Sequence, residues 1–172
     1  SLLLCSTVSA AHSALALKDW RYATDPHGSA AQFHGLQNDS IVIDFQRVPR
    51  VDIHNNSWVE LIYTPPQGNL SAAQAIDIHY QSDQPLIIKL SQSDYGEKGD
   101  KSYAHYQAVL PKAPHWQRHR LTFDQFKRPS WTPETSPDQG LKLTQISAIY
   151  LVPDLTDEQG GTARLAVKAL SF

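Results

Sequence analysis

The chain has 172 residues, of which 41% are hydrophobic and 19% charged, enough for one domain with a buried core. Its net charge of −2 argues against a dedicated nucleic-acid or polybasic membrane-surface protein, because those partners require clustered positive charge. Eleven prolines, four tryptophans and seven tyrosines favour short strands joined by proline-rich loops over a helical fold.

The first residues have the pattern of the end of a secretory signal peptide. Leucines at 2–4 would close its apolar region, and Val-Ser-Ala at 8–10 is a small-residue cleavage site. The single cysteine, Cys5, lies in this segment and cannot form an intramolecular disulfide. We therefore predict a signal remnant over 1–11, a single domain over 12–172 and a secreted or periplasmic location. A short first strand or a disordered tail is the alternative.

Ten segments with strand character occur in chain order, separated by turns rich in proline, glycine and asparagine. The apolar run near the start is too short to span a bilayer. Only 71–74 and 123–126 are predicted as single helical turns. The predicted strands are 19–23, 31–34, 40–46, 57–63, 75–81, 86–91, 103–110, 116–122, 145–152 and 163–172.

Several of these segments alternate between apolar and polar residues. Ile76, Ile78 and Tyr80 fall on one face of their strand, and the residues between them are polar. Alternation over 165–170 likewise places Leu165, Val167 and Ala169 on one face. One packed and one wet face is typical of antiparallel sheets, so the fold class predicted is all-β, a two-sheet antiparallel β-sandwich.

The order of elements from Asn69 to Trp131 carries a resemblance to a known family. A Leu-Ser-x-Ala lead-in at 70–73 precedes two strands, a tyrosine-bearing strand and a strand that begins at Trp116. A Phe-x-x-Phe…Pro-x-Trp segment at 123–131 closes the run. This order resembles carbohydrate-binding modules of the galactose-binding-like jelly-roll superfamily, and the related domain of complex I intermediate-associated proteins. Arg128 stands where the family usually has glutamine.

The resemblance implies a β-jelly roll, often with a structural calcium, and usually no catalysis. The family often binds calcium between an N-terminal segment and the last strand, which makes Asp19, Asp25 and Asp44 the best metal candidates. Ordinary surface acids are the alternative.

Two other metal sites are less favoured by the sequence. His115 and His119 would lie about 13 Å apart on a strand. Cleavage after residue 11 would expose His12 as a copper-binding N-terminus.

Polar residues on the wet faces supply the candidate ligand site. We expect Asp77 and His79 to lie beside Lys89, His105 and Gln107 in one polar ladder across a sheet. Carboxylates, amides and guanidinium groups hydrogen-bond sugar hydroxyls, and aromatic rings stack on sugar rings. The basic residues indicate an anionic sugar such as a uronate. The predicted ligand-binding residues are His79, Lys89, Tyr95, Tyr103, His105, Gln107, Arg118, Arg120 and Trp131.

The large aromatic residues are assigned by their place in the pattern. Trp116 and Phe123 are expected in the core, with Arg118 and Arg120 on the same strand face as Trp116. Trp131 lies in a proline-rich loop, where it either offers a stacking platform or packs under the loop. A plain solvated face remains the alternative for every polar position.

No catalytic signature is present. The sequence has no Gly-x-Ser-x-Gly motif, and no two of its glutamates pair as glycosidase carboxylates, although Glu60 sits in mid-strand. We predict non-catalytic polysaccharide binding by an exported monomer. One alternative is a polysaccharide lyase that uses Tyr, His and Arg on the same sheet face, with those groups converging in a cleft. The other is an assembly domain with a large apolar patch and no sugar ligand.

Overall fold

The computed structural model describes residues 15–95, 105–138 and 140–172. All ten predicted strands are confirmed. The predicted signal segment, His12 and Tyr103 lie outside the described residues. Among the described residues, no helix is long and apolar enough to cross a membrane. The strands are β1 (Trp20–Thr24), β2 (Ala30–Gln37), β3 (Ser40–Arg47), β4 (Val59–Tyr63), β5 (Ala75–Ser82), β6 (Leu86–Gln92), β7 (Tyr106–Leu110), β8 (Ala113–Thr122), β9 (Ile146–Pro153) and β10 (Gly161–Ser171).

Two five-stranded antiparallel sheets face each other. The first sheet has the order β1-β4-β9-β6-β7 and the second sheet the order β2-β3-β10-β5-β8. Short 3₁₀ turns stand at Leu17–Asp19, Ser93–Tyr95, Phe123–Gln125 and Leu143–Gln145. The predicted all-β sandwich is confirmed.

The core fills the space between the sheets. Leu86, Ile88 and Leu90 turn inward from β6 and are at most 2% exposed, while the residues between them turn outward. Trp20 packs on Tyr63 with ring centroids 4.9 Å apart. Burial of apolar side-chain surface stabilises the fold by about 25 cal/mol per Å². Packing of the inward side chains between the sheets is therefore the main driving force for the sandwich.

A bulge in β10 changes the predicted alternation. Val167 pairs with Tyr80 and Ala169 with His79, so Lys168 is an extra residue between two pairs. One inserted residue moves the remainder of the strand to the other face. Leu170 therefore returns to the core and Ala169 turns outward, opposite to the prediction for this stretch.

Trp116 is not a core residue, which corrects the prediction. Ala113 and Leu121 set the inward phase of β8 and are at most 1% exposed, so Trp116 turns outward and is 38% exposed. Its ring stands edge-on to His79 at 5.5 Å. Phe123 does pack against the core, as predicted.

Arg128 anchors the loop that begins after Phe126. It binds the carboxylate of Asp138, whose side chain is fully buried, and Tyr106 Oη donates to Asp138 Oδ2 at 2.7 Å. Ser136 Oγ donates to Asp138 Oδ1 at 2.9 Å. Burial alone would raise the pKa of Asp138, but the bonds from Arg128, Tyr106 and Ser136 outweigh it and hold that pKa below its ordinary value.

We expect Asp138→Ala to lower the free energy of unfolding by about 1–3 kcal/mol at pH 7, because it leaves buried donors without an acceptor. A carboxyl whose pKa is lowered by folding contributes stability above its unfolded pKa of about 3.9, and this contribution is lost as pH falls through the folded pKa. Urea unfolding at several pH values should show the difference from wild type shrinking in acid. A constant difference, or an equal loss in the exposed control Asp154→Ala, would contradict this account.

Candidate functional site

The predicted polar ladder is divided between the two sheets, so the expectation of one ladder is wrong. Lys89 and Gln107 lie on the outer face of the first sheet. His79, Arg118 and Arg120 lie on the outer face of the second. The cause is the jelly-roll connectivity, in which β5 and β6 are consecutive in sequence but belong to different sheets.

One row of outward side chains crosses the whole first sheet. Arg21 pairs with Ile62, Ile62 with Tyr150, Tyr150 with Lys89, and Lys89 with Gln107. At about 4.8 Å between strands, this row is about 19 Å long. A cationic group therefore stands at β1 and another at β6, with an aromatic ring between them.

Two hollows open along this row. One of about 480 Å³ is lined by Arg21, Ala23, Trp58, Glu60, Ile62, His105 and Tyr150. A second of about 230 Å³ reaches Lys89 and shares Trp58 and Glu60 with the first. We call the two together the first-sheet groove, whose polar and aromatic lining includes Arg21, Trp58, Glu60, Lys89, His105 and Tyr150.

The floor of the groove is apolar and closely packed. Ile62, Ala148 and Tyr150 form a cluster separate from the main core and are at most 5% exposed. His105 stands edge-on to Tyr150 with ring centroids 5.4 Å apart. An apolar floor with polar groups at its sides is the usual composition of a small-molecule or sugar site.

Trp58 is fixed at the side of the groove by the residues around it. Its backbone N–H donates to Asp25 Oδ2 at 2.8 Å. Next to it, Ser57 Oγ accepts from Arg47 Nε at 3.0 Å, and Arg47 Nη1 also reaches the carbonyl of Leu155 at 2.7 Å. The segment before β4 is therefore tied to the end of β3 and to the 155–157 loop.

The pKa of Lys89 in the groove is lowered from its ordinary value. Burial lowers its pKa, while the charge of Glu60 raises it and that of Arg47 lowers it. Lys89 Nζ is thus a cation held in an environment that disfavours its charge, as expected of a group that serves ligand binding rather than folding.

We expect Lys89→Met to raise the melting temperature. A lysine whose pKa is lowered by folding destabilises the folded state below that pKa, and the penalty disappears as pH rises towards the unfolded value of about 10.4. The melting temperature should therefore rise with pH in wild type relative to Lys89→Met. A variant that melts lower at every pH would show that the charge stabilises the fold.

The three metal candidates do not form one site. Asp25 is 4% exposed, and its carboxylate accepts from the backbone N–H groups of His27 and Trp58 at 2.7 and 2.8 Å. Asp44 lies on the second sheet and binds His34 and Arg164, each at 2.7 Å. Asp19 precedes β1 and Asp25 comes after it. Among the described residues no group of three acids, histidines or cysteines could hold a metal, and these carboxylates do not fit a shared calcium. Calcium binding by this protein stays a prediction.

The predicted loop aromatics differ in exposure. Tyr95 is 8% exposed and offers no open ring face, contrary to expectation. Trp131 is 67% exposed, in a loop that begins where Lys127 and Gln107 exchange backbone hydrogen bonds of 2.8 and 2.9 Å. Trp131 thus remains available as a stacking platform beside the last strand of the first sheet.

Three residues of the groove were not among the predicted ligand-binding residues: Arg21, Trp58 and Tyr150. Arg21 and Tyr150 could have been found from strand phase, because each is next to an inward residue of its strand. Trp58 lies just before β4 but within the predicted strand 57–63, and its place between the buried Ser57 and Val59 gives it the same outward phase.

No protein-family model matches the chain, and no curated protein matches its sequence. Several solved structures match the structure of this chain. The family 11 carbohydrate-binding module from Clostridium thermocellum, in complex with a β-1,3-1,4-mixed-linked tetrasaccharide, matches with a TM-score of 0.61 and 12% identity over 90% of this chain and 91% of that one. The family 11 module of the cellulosomal cellulase Lic26A-Cel5E from the same organism also gives 0.61 and 12%, over 94% and 96%. PfGH50B gives 0.54 and 13%, over 94% of this chain and 23% of that one.

The fold is the β-jelly roll of these carbohydrate-binding modules. The resemblance predicted from 69–131 is therefore confirmed for the fold. At sequence identities of 12–13%, the similarity to these structures shows the fold alone.

Proposed function

We propose that this protein binds a polysaccharide without cleaving it, in the first-sheet groove. The observation that carries the proposal is the arrangement of Arg21 and Lys89 on either side of an apolar floor that contains Ile62 and Tyr150, with Trp58 at the side. Arg21 and Lys89 are three strand spacings apart, about 14 Å, which matches an extended sugar chain rather than a single small molecule.

The chemistry of the lining suits sugar. Trp58 supplies aromatic surface for the C–H faces of pyranose rings, and the buried Tyr150 forms part of the floor beneath the ligand. Glu60 accepts hydrogen bonds from hydroxyls, and Arg21 and Lys89 donate them to ring and hydroxyl oxygens. The structural neighbour that holds a mixed-linked tetrasaccharide supports a β-glucan as the first ligand to try. We further propose that the protein is exported and monomeric.

Isothermal titration calorimetry of the purified chain tests the proposal. The ligands are mixed-linkage β-glucan, cello-oligosaccharides and polygalacturonate. We expect saturable binding of at least one neutral glucan. The doubly substituted Arg21→Ala/Lys89→Met should lose that binding, whereas His79→Ala/Arg118→Ala on the other sheet should retain it. Absence of binding to both neutral glucans would overturn the proposal, as would a loss of glucan binding confined to the second-sheet variant.

A polysaccharide lyase is the second candidate, because Arg21, His105 and Tyr150 line the same hollow. Such an enzyme removes the C5 proton next to a uronate carboxylate with a Tyr or His base, while a cation stabilises the developing charge. The C4–C5 double bond then forms as the C4–O glycosidic bond breaks, and the departing sugar oxygen takes up a proton. Incubation with uronate polymers should then generate unsaturated products detected by ultraviolet absorbance. Their formation, and its loss in Tyr150→Phe, would replace the binding proposal.

A further inference from the structure

The outer face of the second sheet concentrates positive charge around one histidine. Arg118 in β8 is the direct cross-strand partner of His79 in β5, and Lys168 occupies the bulge of β10 beside it. Trp116 completes the group, with Lys168 Nζ held 4.5 Å from its ring centroid and His79 edge-on at 5.5 Å. We call these four residues the second-sheet patch.

The positive charge of the patch is not balanced by carboxylates. Within the described part of the chain, Arg118 and Lys168 form no ion pair, and the nearby Asp77 binds Arg120 at 3.0 Å instead. Burial lowers the pKa of His79, and the charges of Arg118 and Lys168 lower it further. The two cations are therefore close enough to disfavour a third charge. In a chain with a net charge of −2, this cluster is not a consequence of the overall composition.

The patch adjoins a hollow of about 350 Å³ that can admit a ligand group. His79, Arg118 and Arg120 line its sides, with Asp77 as the one carboxylate. Ala169 and Ser171 form part of its floor, because the bulge turns Ala169 outward. The small side chains of β10 keep the space between the basic groups open.

A single exposed arginine needs no explanation beyond contact with solvent. A cluster of like charges without a counter-ion does, because the repulsion between the charges opposes folding. A bound oxyanion would remove that repulsion through charge-assisted hydrogen bonds from Arg118 and Lys168. The half-exposed Trp116 adds an aromatic surface of the kind that packs on sugar rings.

We propose that the second-sheet patch is a separate binding site for an acidic polysaccharide, which it engages through carboxylate or sulfate groups. The site lies on the opposite outer face from the first-sheet groove and does not depend on the function of that groove. A polysaccharide fits better than a nucleic acid, because the pI of 6.4 and the small extent of the patch do not provide the basic stripe that a duplex requires.

Affinity electrophoresis tests the proposal with four probes: polygalacturonate, heparin, mixed-linkage β-glucan and a DNA duplex. Wild type should be retarded by polygalacturonate or heparin in low salt, and raising the salt should weaken the retardation at least tenfold. The two acidic probes distinguish carboxylate from sulfate. Arg118→Gln/Lys168→Gln should bind the acidic probe at least tenfold more weakly, and the charge-matched control Lys18→Gln/Lys112→Gln should bind it as wild type does.

The glucan arm separates this site from the groove. Binding of β-glucan should be unchanged in Arg118→Gln/Lys168→Gln. If the wild-type protein binds no glucan, the proposed function is refuted, but the proposal of an acidic-polysaccharide site at the second-sheet patch is not affected. The patch is refuted if neither acidic probe binds in low salt, if the control variant loses as much affinity as the patch variant, or if DNA binds as tightly as the polysaccharides.

Discussion

Gly160→Ala should destabilise the fold by about 2–5 kcal/mol, the largest loss we expect from any single added methyl group. Gly160 has φ +62°, and a Cβ placed there would lie 2.2 Å from the carbonyl oxygen of Arg47. The left-handed conformation alone costs a non-glycine residue about 1–2 kcal/mol. The overlap adds to this, because the neighbour is backbone and cannot rotate away.

The site of the overlap magnifies the effect. Gly161 pairs with Arg47 at the start of β10, so moving residue 160 disturbs the first pair between β10 and β3. It also disturbs Arg47, whose guanidinium bonds hold Ser57 and Leu155. Stability and the Trp58 side of the groove are therefore coupled at Gly160.

Gly35→Ala is the matched control. Gly35 has φ +67°, close to that of Gly160, but an added Cβ would meet only the side chain of Leu17 at 3.7 Å, an ordinary contact. Urea unfolding monitored by tryptophan fluorescence should give Gly160→Ala a loss at least about 1 kcal/mol larger than that of Gly35→Ala. Equal losses would mean that the close approach to Arg47 relaxes without cost.

Trp58→Ala should weaken glucan binding about 10- to 100-fold, which corresponds to about 1.4–2.7 kcal/mol. Trp58 lines both hollows of the first-sheet groove, so a sugar chain bound in the proposed site would contact its indole where it crosses between them. The residue is held by a backbone bond to Asp25, which alanine at position 58 preserves. The loss should therefore appear in affinity with little change in the fold.

Trp116→Ala supplies the control for Trp58→Ala, because Trp116 is also partly exposed but lies on the other sheet. Calorimetry with the same glucan should give wild-type affinity for Trp116→Ala and an intermediate value for Trp58→Phe. If Trp116→Ala loses the affinity for glucan and Trp58→Ala keeps it, the glucan site lies on the second sheet and not in the first-sheet groove.

Local pattern was enough to predict the strands and most of their faces. Alternation in 76–80 and 86–90 reflects a two-residue period that burial imposes on any half-buried strand, so sequence alone reveals it. Where a bulge inserts a residue, as at Lys168, the period is broken and the predicted face is wrong. Trp116 was misplaced because its size suggested burial, although the phase set by Ala113 and Leu121 turns it outward.

The candidate site was less predictable, because it depends on which strands become neighbours. Lys89 and Gln107 were correctly identified as outward residues of adjacent strands. The sequence could not place Tyr150 next to Lys89, since β6 and β9 are separated by more than 50 residues and pair only in the folded sheet. For the same reason His79 was grouped with Lys89, although the chain passes from one sheet to the other between them.

An amide chemical-shift titration of the ¹⁵N-labelled protein with a β-1,3-1,4-mixed-linked tetrasaccharide shows which sheet binds the sugar. We expect saturable shifts centred on Arg21, Trp58, Glu60, Lys89 and Tyr150, with the second sheet unaffected. Shifts centred on His79, Arg118 and Lys168, or no shifts with this ligand or longer glucans, would contradict it.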